Sequence, residues 1–207
     1  MSEIEQRSEP ASGIVGRAKA ILVSPTSEWP IIAAENESVQ SVFLRYVVPL
    51  AAIGPICGFI GGQVFGINLY IVRVHPTLMA GLSTAITAYI LALLSIFVVA
   101  WVANFLADKF GGQVNFARAF QLCAYSYTAA YLAGVFQIVP ALAILALLAA
   151  LYGFYLFYLG STPMMAVPKE KAAGYTAVTV VGIIVVYLIV GAIMSAVASP
   201  LGGLVGP

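Results

Sequence analysis

Four long stretches of this sequence contain no Asp, Glu, Lys or Arg. They cover residues 46–72, 74–107, 119–168 and 172–207, and the third is 50 residues long. A single helix of about 20 apolar residues is enough to cross a bilayer. Charged residues make up 8% of the chain and hydrophobic residues 62%. A chain of this composition has more apolar surface than a soluble domain can bury. The sequence therefore predicts an all-α polytopic membrane protein.

Five transmembrane helices account for these stretches. The 50-residue run is too long for one helix. Pro140 has no amide proton and, with Gln137 beside it, provides a natural break inside that run. Each of the other runs holds one helix. The predicted spans are residues 46–66, 79–107, 117–137, 140–160 and 174–196.

The positions of Lys and Arg orient the spans. Cytoplasmic segments of membrane proteins are enriched in these residues. With the N-terminus in the cytoplasm, eight of them lie inside and only Arg73 lies outside. A four-span model, which merges the 50-residue hairpin into one re-entrant or kinked segment, lowers the contrast to six against three. We therefore expect five spans, a cytoplasmic N-terminus and an external C-terminus.

The region before the first span is expected to form short amphipathic helices. Apolar residues recur at helical spacing between Ile14 and Leu22, while Arg17 and Lys19 lie away from them. Two arrangements fit this pattern. The helices either lie on the inner leaflet, held by their apolar face and two cations, or pack on the cytoplasmic ends of the bundle.

The chain thus divides into four regions. Its start, MSEIEQRSEPASG, is polar and partly acidic, which differs from the basic start and apolar core of a secretory signal. The tail at the other end is rich in Ser, Pro and Gly. We expect a disordered N-terminal tail at 1–11, cytoplasmic helices at 12–45, a five-helix membrane domain at 46–198 and a flexible external tail at 199–207.

The strongest local pattern is a glycine every fourth residue in the first span. Residues four apart lie on nearly the same helix face, so the missing side chains leave a groove for another helix backbone. The partner helix belongs either to the same chain or to another copy, and self-association through this face is one expectation. The glycines are Gly54, Gly58, Gly62 and Gly66.

A polar group surrounds the loop after the second span. Asn104 and Asp108 share a helix face, and Arg118 and Gln121 follow the loop. An Asp108–Arg118 clasp would close this turn at the inner membrane surface. The alternative is that the four residues line the cytoplasmic vestibule of a channel.

Tyrosines are concentrated in the last three spans. In the predicted orientation most of them lie in the inner half of the membrane, where they could gather into an aromatic, hydroxyl-rich cluster. An interfacial belt with interhelical hydrogen bonds explains most of this pattern, and a lipid or small-molecule pocket is the alternative. The residues are Tyr125, Tyr127, Tyr131, Tyr155, Tyr158 and Tyr175.

The sequence offers little support for catalysis or cofactor binding. Asp108 is the only aspartate, so the paired aspartates of an intramembrane protease are missing. The single histidine, His75, lies in a predicted external loop. Cys57 and Cys123 fall inside predicted helices, where small hydrophobes are usual. We expect no catalytic site, no metal, no cofactor and, with a net charge of +1, no nucleic-acid binding.

Several segments resemble the Ypt-interacting protein (Yip) family of five-span membrane proteins. They are SPTSEWPII with Pro25 and Trp29, RYVVPLAAIGP from Arg45, GGQVNFARAFQLCAYSY from Gly111, and Ala173-Gly174-Tyr175 at the start of the last helix. The resemblance implies a membrane scaffold, because eukaryotic relatives associate with prenylated Rab-type GTPases and with one another. The Asp-Leu-Tyr-Gly-Pro motif of those relatives is not present, and the short loops are typical of a bacterial or archaeal member.

The expected function is a non-enzymatic scaffold in a bacterial inner membrane. It would organise lipids or protein partners at the cytoplasmic face and form a homo-oligomer. The alternative function is a channel or transporter for an ion or small solute.

Overall fold

A computed structural model describes residues 13–69, 72–139 and 142–202. Two short helices come first, α1 (Ile14–Val23) and α2 (Pro25–Glu35). Pro25 at the first position of α2 suits the start of a helix, because the amide proton that it lacks would have no intrahelical partner there. The expected N-terminal tail at 1–11 lies outside the described residues.

The first span runs over Val39–Phe65 and begins earlier than the predicted 46. The Ser38 hydroxyl caps its start by accepting a hydrogen bond from the Ser41 amide at 3.2 Å. The prediction started after Arg45 because a charge was taken as the membrane boundary. The span consists of α3 (Val39–Val42), a π-helical turn (Phe43–Val47), α4 (Val48–Ala51) and α5 (Ile53–Phe65).

A two-stranded antiparallel hairpin follows the first span. Its strands are β1 (Ile67–Leu69) and β2 (Val72–Val74), with Asn68 opposite Arg73. The prediction of helices alone missed it, because strands this short leave no readable alternation in the sequence. Helix α6 (Leu78–Lys109) comes next, close to the predicted 79–107.

The third predicted span, 117–137, is broken rather than continuous. It consists of α7 (Phe116–Ser126), α8 (Thr128–Ala133) and a 3₁₀ helix (Gly134–Ile138), which we call the broken segment. At the break, the Thr128 hydroxyl donates a 2.6 Å hydrogen bond to the carbonyl of Tyr125. Such local side-chain bonds compete with helical backbone bonds. The predicted break at Pro140 lies outside the described residues.

The last two helices are longer than predicted. Helix α9 (Ala143–Met165) extends past 160, and α10 (Lys169–Gly202) starts before 174 and continues past 196. Helix α10 therefore includes residues 199–202 of the predicted flexible tail, whose flexibility stays a prediction, and residues 203–207 lie outside the described part. Pro200 deprives the carbonyl four residues earlier of its partner, but its fixed φ suits a helix.

Four helices within the described residues are long and apolar enough to cross a membrane. The broken segment adds a fifth apolar stretch, but its longest helix, α7, has 11 residues. The four are Val39–Phe65, Leu78–Lys109, Ile144–Met165 and Lys169–Ala196.

The helices share two ends, which we name by their connections. At the loop end, around residues 110–115, the Gln113 amide donates a 2.7 Å hydrogen bond to the carbonyl of Met165. The opposite end, which carries the strands, is the hairpin end. There Gln63 donates to the carbonyl of Pro76 at 3.3 Å. Helix α9 therefore finishes at the same end as α6.

Glycines bring the first span and the broken segment into backbone contact. A methyl group at Gly134 would lie 2.7 Å from the backbone nitrogen and Cα of Gly54, and one at Gly61 would lie 2.6 Å from the carbonyl oxygen of Ile138. Neither gap admits a side chain. The two segments therefore pack with their backbones in contact, as membrane helices with small residues do.

We expect Gly134→Ala to destabilise the protein. The added methyl would press on backbone atoms of Gly54, which cannot rotate away, and overpacking of this kind costs about 1–3 kcal/mol. Thermal unfolding in detergent should show a lower melting temperature. The matched control is Gly191→Ala in α10, where the added carbon has no contact within 4 Å to described residues beyond its own stretch of helix. Equal melting temperatures of the two variants would contradict the close packing.

Candidate functional site

A buried ion cluster joins the two N-terminal helices. Arg17 of α1 forms ion pairs with Glu28 and Glu35 of α2. Its second contact to the Glu35 carboxylate is 2.6 Å long. Arg17 is only 8% exposed and Glu28 6%. We call these three residues the Arg17 cluster.

The sequence places both carboxylates on one face of α2. Glu28 and Glu35 are seven residues apart, close to two helical turns. Their separation lets the flat guanidinium group lie between them and bond to both. Burial alone would lower the pKa of Arg17, but the hydrogen bond and charge of Glu35 and the charge of Glu28 raise it above its ordinary value.

The cluster is also attached to the bundle. The Arg17 guanidinium lies 5.9 Å from the ring centre of Tyr125 in α7. The Tyr125 hydroxyl donates a 2.7 Å hydrogen bond to the carboxylate of Glu37, and the Gln121 side chain donates to the carbonyl of that residue. The loop between α2 and the first span is thereby held against α7.

Apolar contacts fix the N-terminal helices on α9. Trp29 is 1% exposed, and its indole ring packs on Gly160, where an added methyl would lie 2.6 Å from a ring carbon. The Tyr152 hydroxyl donates a 2.6 Å hydrogen bond to the carbonyl of Leu22. Of the two arrangements that the sequence left open, the structure has α1 and α2 packed against the bundle.

The arrangement is suited to holding segments together. The cation and both carboxylates of the Arg17 cluster are occupied by one another, and Tyr46 and Thr128 share a 2.7 Å hydrogen bond nearby. No group of three or more His, Cys, Asp or Glu residues that could hold a metal ion occurs in the described residues. Cys57 and Cys123 are both free thiols.

The sequence predicted a clasp between Asp108 and Arg118. Both residues are described in the structure, and their side chains do not pair with each other. Asp108 is 66% exposed at its side chain and lies 3.6 Å from Lys109. Arg118 donates instead to Asn36 at 3.4 Å. Helix α6 continues past Asp108 to Lys109, so the carboxylate projects beside its own helix end.

The four residues predicted to line a vestibule also have separate surroundings. Gln121 is buried against Glu37, Arg118 is half-buried, and Asp108 is exposed. Asn104 lies in α6 with a buried side-chain oxygen that has no partner among the described residues. They do not form the polar mouth that the sequence suggested.

The predicted tyrosines separate into different environments. Tyr125 belongs to the surroundings of the Arg17 cluster, and Tyr127 and Tyr131 have ring centres 5.9 Å apart in the broken segment. Tyr175 is fully buried and donates a 2.8 Å hydrogen bond to the carbonyl of Ala103. The two from α9, Tyr155 and Tyr158, are exposed. The six residues therefore do not form one pocket.

The four predicted glycines divide in the same way. An added methyl at Gly54 or Gly58 would lie 3.1 or 2.9 Å from the Gln137 side chain, so these two pack on the broken segment of the same chain. Gly62 is half-buried, and Gly66 ends the span with a positive φ of 71°. Self-association stays a prediction, and Gly54 and Gly58 are already covered within the monomer.

Sequence reasoning missed most of the observed cluster. The sequence pattern does not pair Glu28 with a cation, and it does not single out Glu35 or Glu37. The available signal was the spacing of Glu28 and Glu35 on one helix face, with a cation on the helix before it. Nothing in that spacing says that the three residues are buried.

Comparison with known proteins gives the chain its family. It is 27% identical over 168 residues to the inner membrane protein YohC of Escherichia coli strain K12. The aligned region covers 78% of this chain and 85% of the relative. The YohC protein of Escherichia coli O6:H1 matches with the same identity and coverage. No solved structure matches the chain.

The model of the Yip1 domain matches residues 19–203, nearly the whole described chain. This match confirms the resemblance noted in the sequence, and it agrees with the long apolar helices of the fold. This integral membrane protein belongs to the Yip1 domain family.

Proposed function

We propose that this protein is a non-enzymatic scaffold of the inner membrane that organises protein partners or lipids at its cytoplasmic face. The observation that carries the proposal is the Arg17 cluster, which joins two helices outside the spans to each other and contacts Tyr125 of the bundle. The Escherichia coli relatives are named inner membrane proteins, which supports the location.

The docked helices offer a surface for partners. One face of α1 is buried, but Val15 is 80% exposed and Val23 72% exposed. On α2, Thr26 and Ser27 are exposed as well. Because the other face is held by buried charges and by Trp29, a partner would meet an ordered surface and would not have to order it on binding.

The charges support a binding role over a catalytic one. In the Arg17 cluster each charge is neutralised by another side chain. A general base or nucleophile must instead reach the substrate with its reactive atom. The scaffold proposal assigns the paired charges of the Arg17 cluster a structural role, which is to hold α1 and α2 together.

We further propose that the broken segment crosses the membrane as a fifth span. Near its start, Arg118 contacts Asn36, just before the first span. At its end, the carbonyl of Ile138 lies against Gly61, close to the other end of that span. The broken segment therefore extends over about the same height as residues 39–61, roughly 33 Å of helix at 1.5 Å per residue.

Five crossings, together with the Lys and Arg count, favour a cytoplasmic N-terminus and an external C-terminus. The loop end carries Lys109, Arg118, Lys169 and Lys171, and the loop at the hairpin end carries Arg73. Positive residues favour the cytoplasm. The loop end and the N-terminal helices would therefore face the cytoplasm.

Reporter fusions test this topology. Alkaline phosphatase fused after Pro207 should be active, because the enzyme folds only outside the cytoplasm, and a fluorescent protein fused there should be dark. Fusions after Gly112, at the loop end, should give the opposite pattern. Fluorescence from both fusion points would mean that the broken segment does not cross.

Hydrogen exchange tests the role of the Arg17 cluster. Arg17→Gln leaves the buried carboxylate of Glu28 and the half-buried one of Glu35 without a cation, and removing one partner of a buried pair costs about 3–5 kcal/mol. We expect amides in residues 14–35 to exchange roughly 100-fold faster, while those of α6 keep their protection. Lys19→Gln, which removes an exposed cation from the same helix, is the control. Equal exchange in both variants would contradict the docking role.

Photo-cross-linking in cells tests the scaffold itself. A photoreactive amino acid at Val15 should give protein or lipid adducts, and Arg17→Gln should reduce their yield several-fold because the docked surface is lost. The same amino acid at Leu188, which is 69% exposed on α10, should be insensitive to Arg17→Gln. If Val15 gives no adducts, or if Arg17→Gln leaves their yield unchanged, a partner surface that depends on the Arg17 cluster is excluded.

A further inference from the structure

A cavity with charged residues in its lining lies between α1 and the start of the first span. Its volume is about 580 Å³, within the range of roughly 300–1,000 Å³ that is usual for ligand sites. We call it the α1 cavity. Its lining includes Ile14, Arg17, Glu37, Arg45, Tyr46 and Tyr125.

Two charges in the lining have no counter-ion in the described part of the chain. Arg45 makes neither an ion pair nor a hydrogen bond through its side chain to a described residue. Glu37 accepts a hydrogen bond from Tyr125, which is neutral, and pairs with no described cation. Arg17 differs, because Glu28 and Glu35 satisfy it. The cavity thus offers one cation and one anion to a ligand.

The backbone at the cavity is unusual in a way that concerns Arg45. Pro49 has no amide proton to donate to the carbonyl of Arg45, four residues earlier. The chain instead forms a π-helical turn over Phe43–Val47, in which the Val48 amide bonds to the carbonyl of Phe43. π-helical turns inside α-helices are frequent at functional sites. Here the turn carries Leu44, Arg45 and Tyr46 into the lining.

The cavity lies near the start of the first span, where a headgroup layer would be expected. Arg45 lies six residues into the first span, about 9 Å along a helix from its start. Headgroup layers are several ångströms thick on each side of the hydrocarbon core. On the same span, Leu44 lies next to Arg45, and Ile56 and Ile60 follow further along; all three are exposed apolar side chains. A molecule with a charged head and apolar chains fits both surfaces.

We propose that the α1 cavity binds the headgroup of a phosphatidylethanolamine lipid, with its phosphate at Arg45 and its primary ammonium at Glu37. A guanidinium group bonds a phosphate through two parallel N–H donors. The Glu37 carboxylate accepts hydrogen bonds from a primary ammonium, whereas the trimethylammonium of a choline lipid has none to donate. The acyl chains would lie along the exposed apolar face of the first span.

This inference rests on the proposed function, since it names a lipid that the scaffold would hold. Its test is independent of the Val15 cross-links, so the two proposals fail separately. Loss of lipid selectivity with intact cross-links would remove the headgroup site alone. Loss of the Val15 cross-links with intact lipid selectivity would remove the scaffold surface alone.

The experiment is lipid retention by the full-length protein. The protein is reconstituted in vesicles with equal parts of phosphatidylethanolamine, phosphatidylcholine and phosphatidylglycerol, extracted in mild detergent and analysed by native mass spectrometry. We expect phosphatidylethanolamine to be retained roughly tenfold over each of the other two, the effect of one hydrogen bond to a charged group.

Two variants separate the two charges. Glu37→Gln should reduce the preference for the ethanolamine over the choline lipid to about one, and its amide oxygen can still accept from Tyr125. Arg45→Gln should reduce retention of both lipids roughly tenfold. The controls are Glu170→Gln and Lys19→Gln, which remove exposed charges elsewhere and should retain lipid as the wild type does. Melting temperatures of all four variants check that each is folded.

Free headgroup compounds identify what the cavity recognises. Phosphoethanolamine and inorganic phosphate are added at equal concentration before extraction, and only retention of the complete lipid against both supports the proposal. Equal retention of the three lipids would overturn it. Preference for phosphatidylglycerol would also overturn it, because the cavity would then recognise negative charge alone. Displacement of the lipid by inorganic phosphate would overturn it for the same reason.

Discussion

The fold depends on satisfying one buried cation. Arg17 lies beside Ala18 and Ile21, which are buried with it, so its charge has little access to water. An isolated charge in such surroundings is prohibitively unfavourable, and it is tolerated only with close, hydrogen-bonded partners. Glu28 and Glu35 are those partners, and both come from the next helix. Removing water from Arg17 is therefore possible only when α1 and α2 are side by side.

The same requirement extends the packing to the spans. With α1 and α2 paired, Trp29 lies on Gly160 and Arg17 lies over the ring of Tyr125, which in turn bonds Glu37. The first span starts directly after these contacts. A charge pair outside the membrane domain thus helps to set where the first span begins, and the glycine contacts then fix its approach to the broken segment.

The sequence predicted features that depend on local pattern. The family resemblance is confirmed, and α6 was predicted at 79–107 and extends over Leu78–Lys109, because apolar length alone defines such a helix. Features that depend on rotation between helices were not predictable. Asp108 and Arg118 are ten residues apart and suggest a clasp, but the helix ends direct them to Lys109 and Asn36 instead.

The Arg17 cluster shows the same distinction most clearly. Arg17 and Lys19 are both cations of one amphipathic pattern, and nothing in that pattern distinguishes them. In the structure one is buried and the other exposed, because burial is decided by α2 and by Tyr125, far along the chain. Periodicity within a helix describes its own faces and cannot identify a charged partner from another helix.

The proposed lipid site and the docking of α1 are thermodynamically connected. Ile14 and Arg17 of α1 form one wall of the α1 cavity, and Glu37 and Arg45 form another. Because Ile14 and Arg17 complete the cavity only when α1 is docked, a headgroup at Glu37 and Arg45 would bind more tightly to the docked state than to a state in which α1 has separated. It follows from linkage that the lipid stabilises docking by the same factor by which docking increases lipid affinity. A scaffold built in this way would present its cytoplasmic surface most fully in membranes that contain the lipid, because lipid binding and docking of α1 both involve the α1 wall of the cavity.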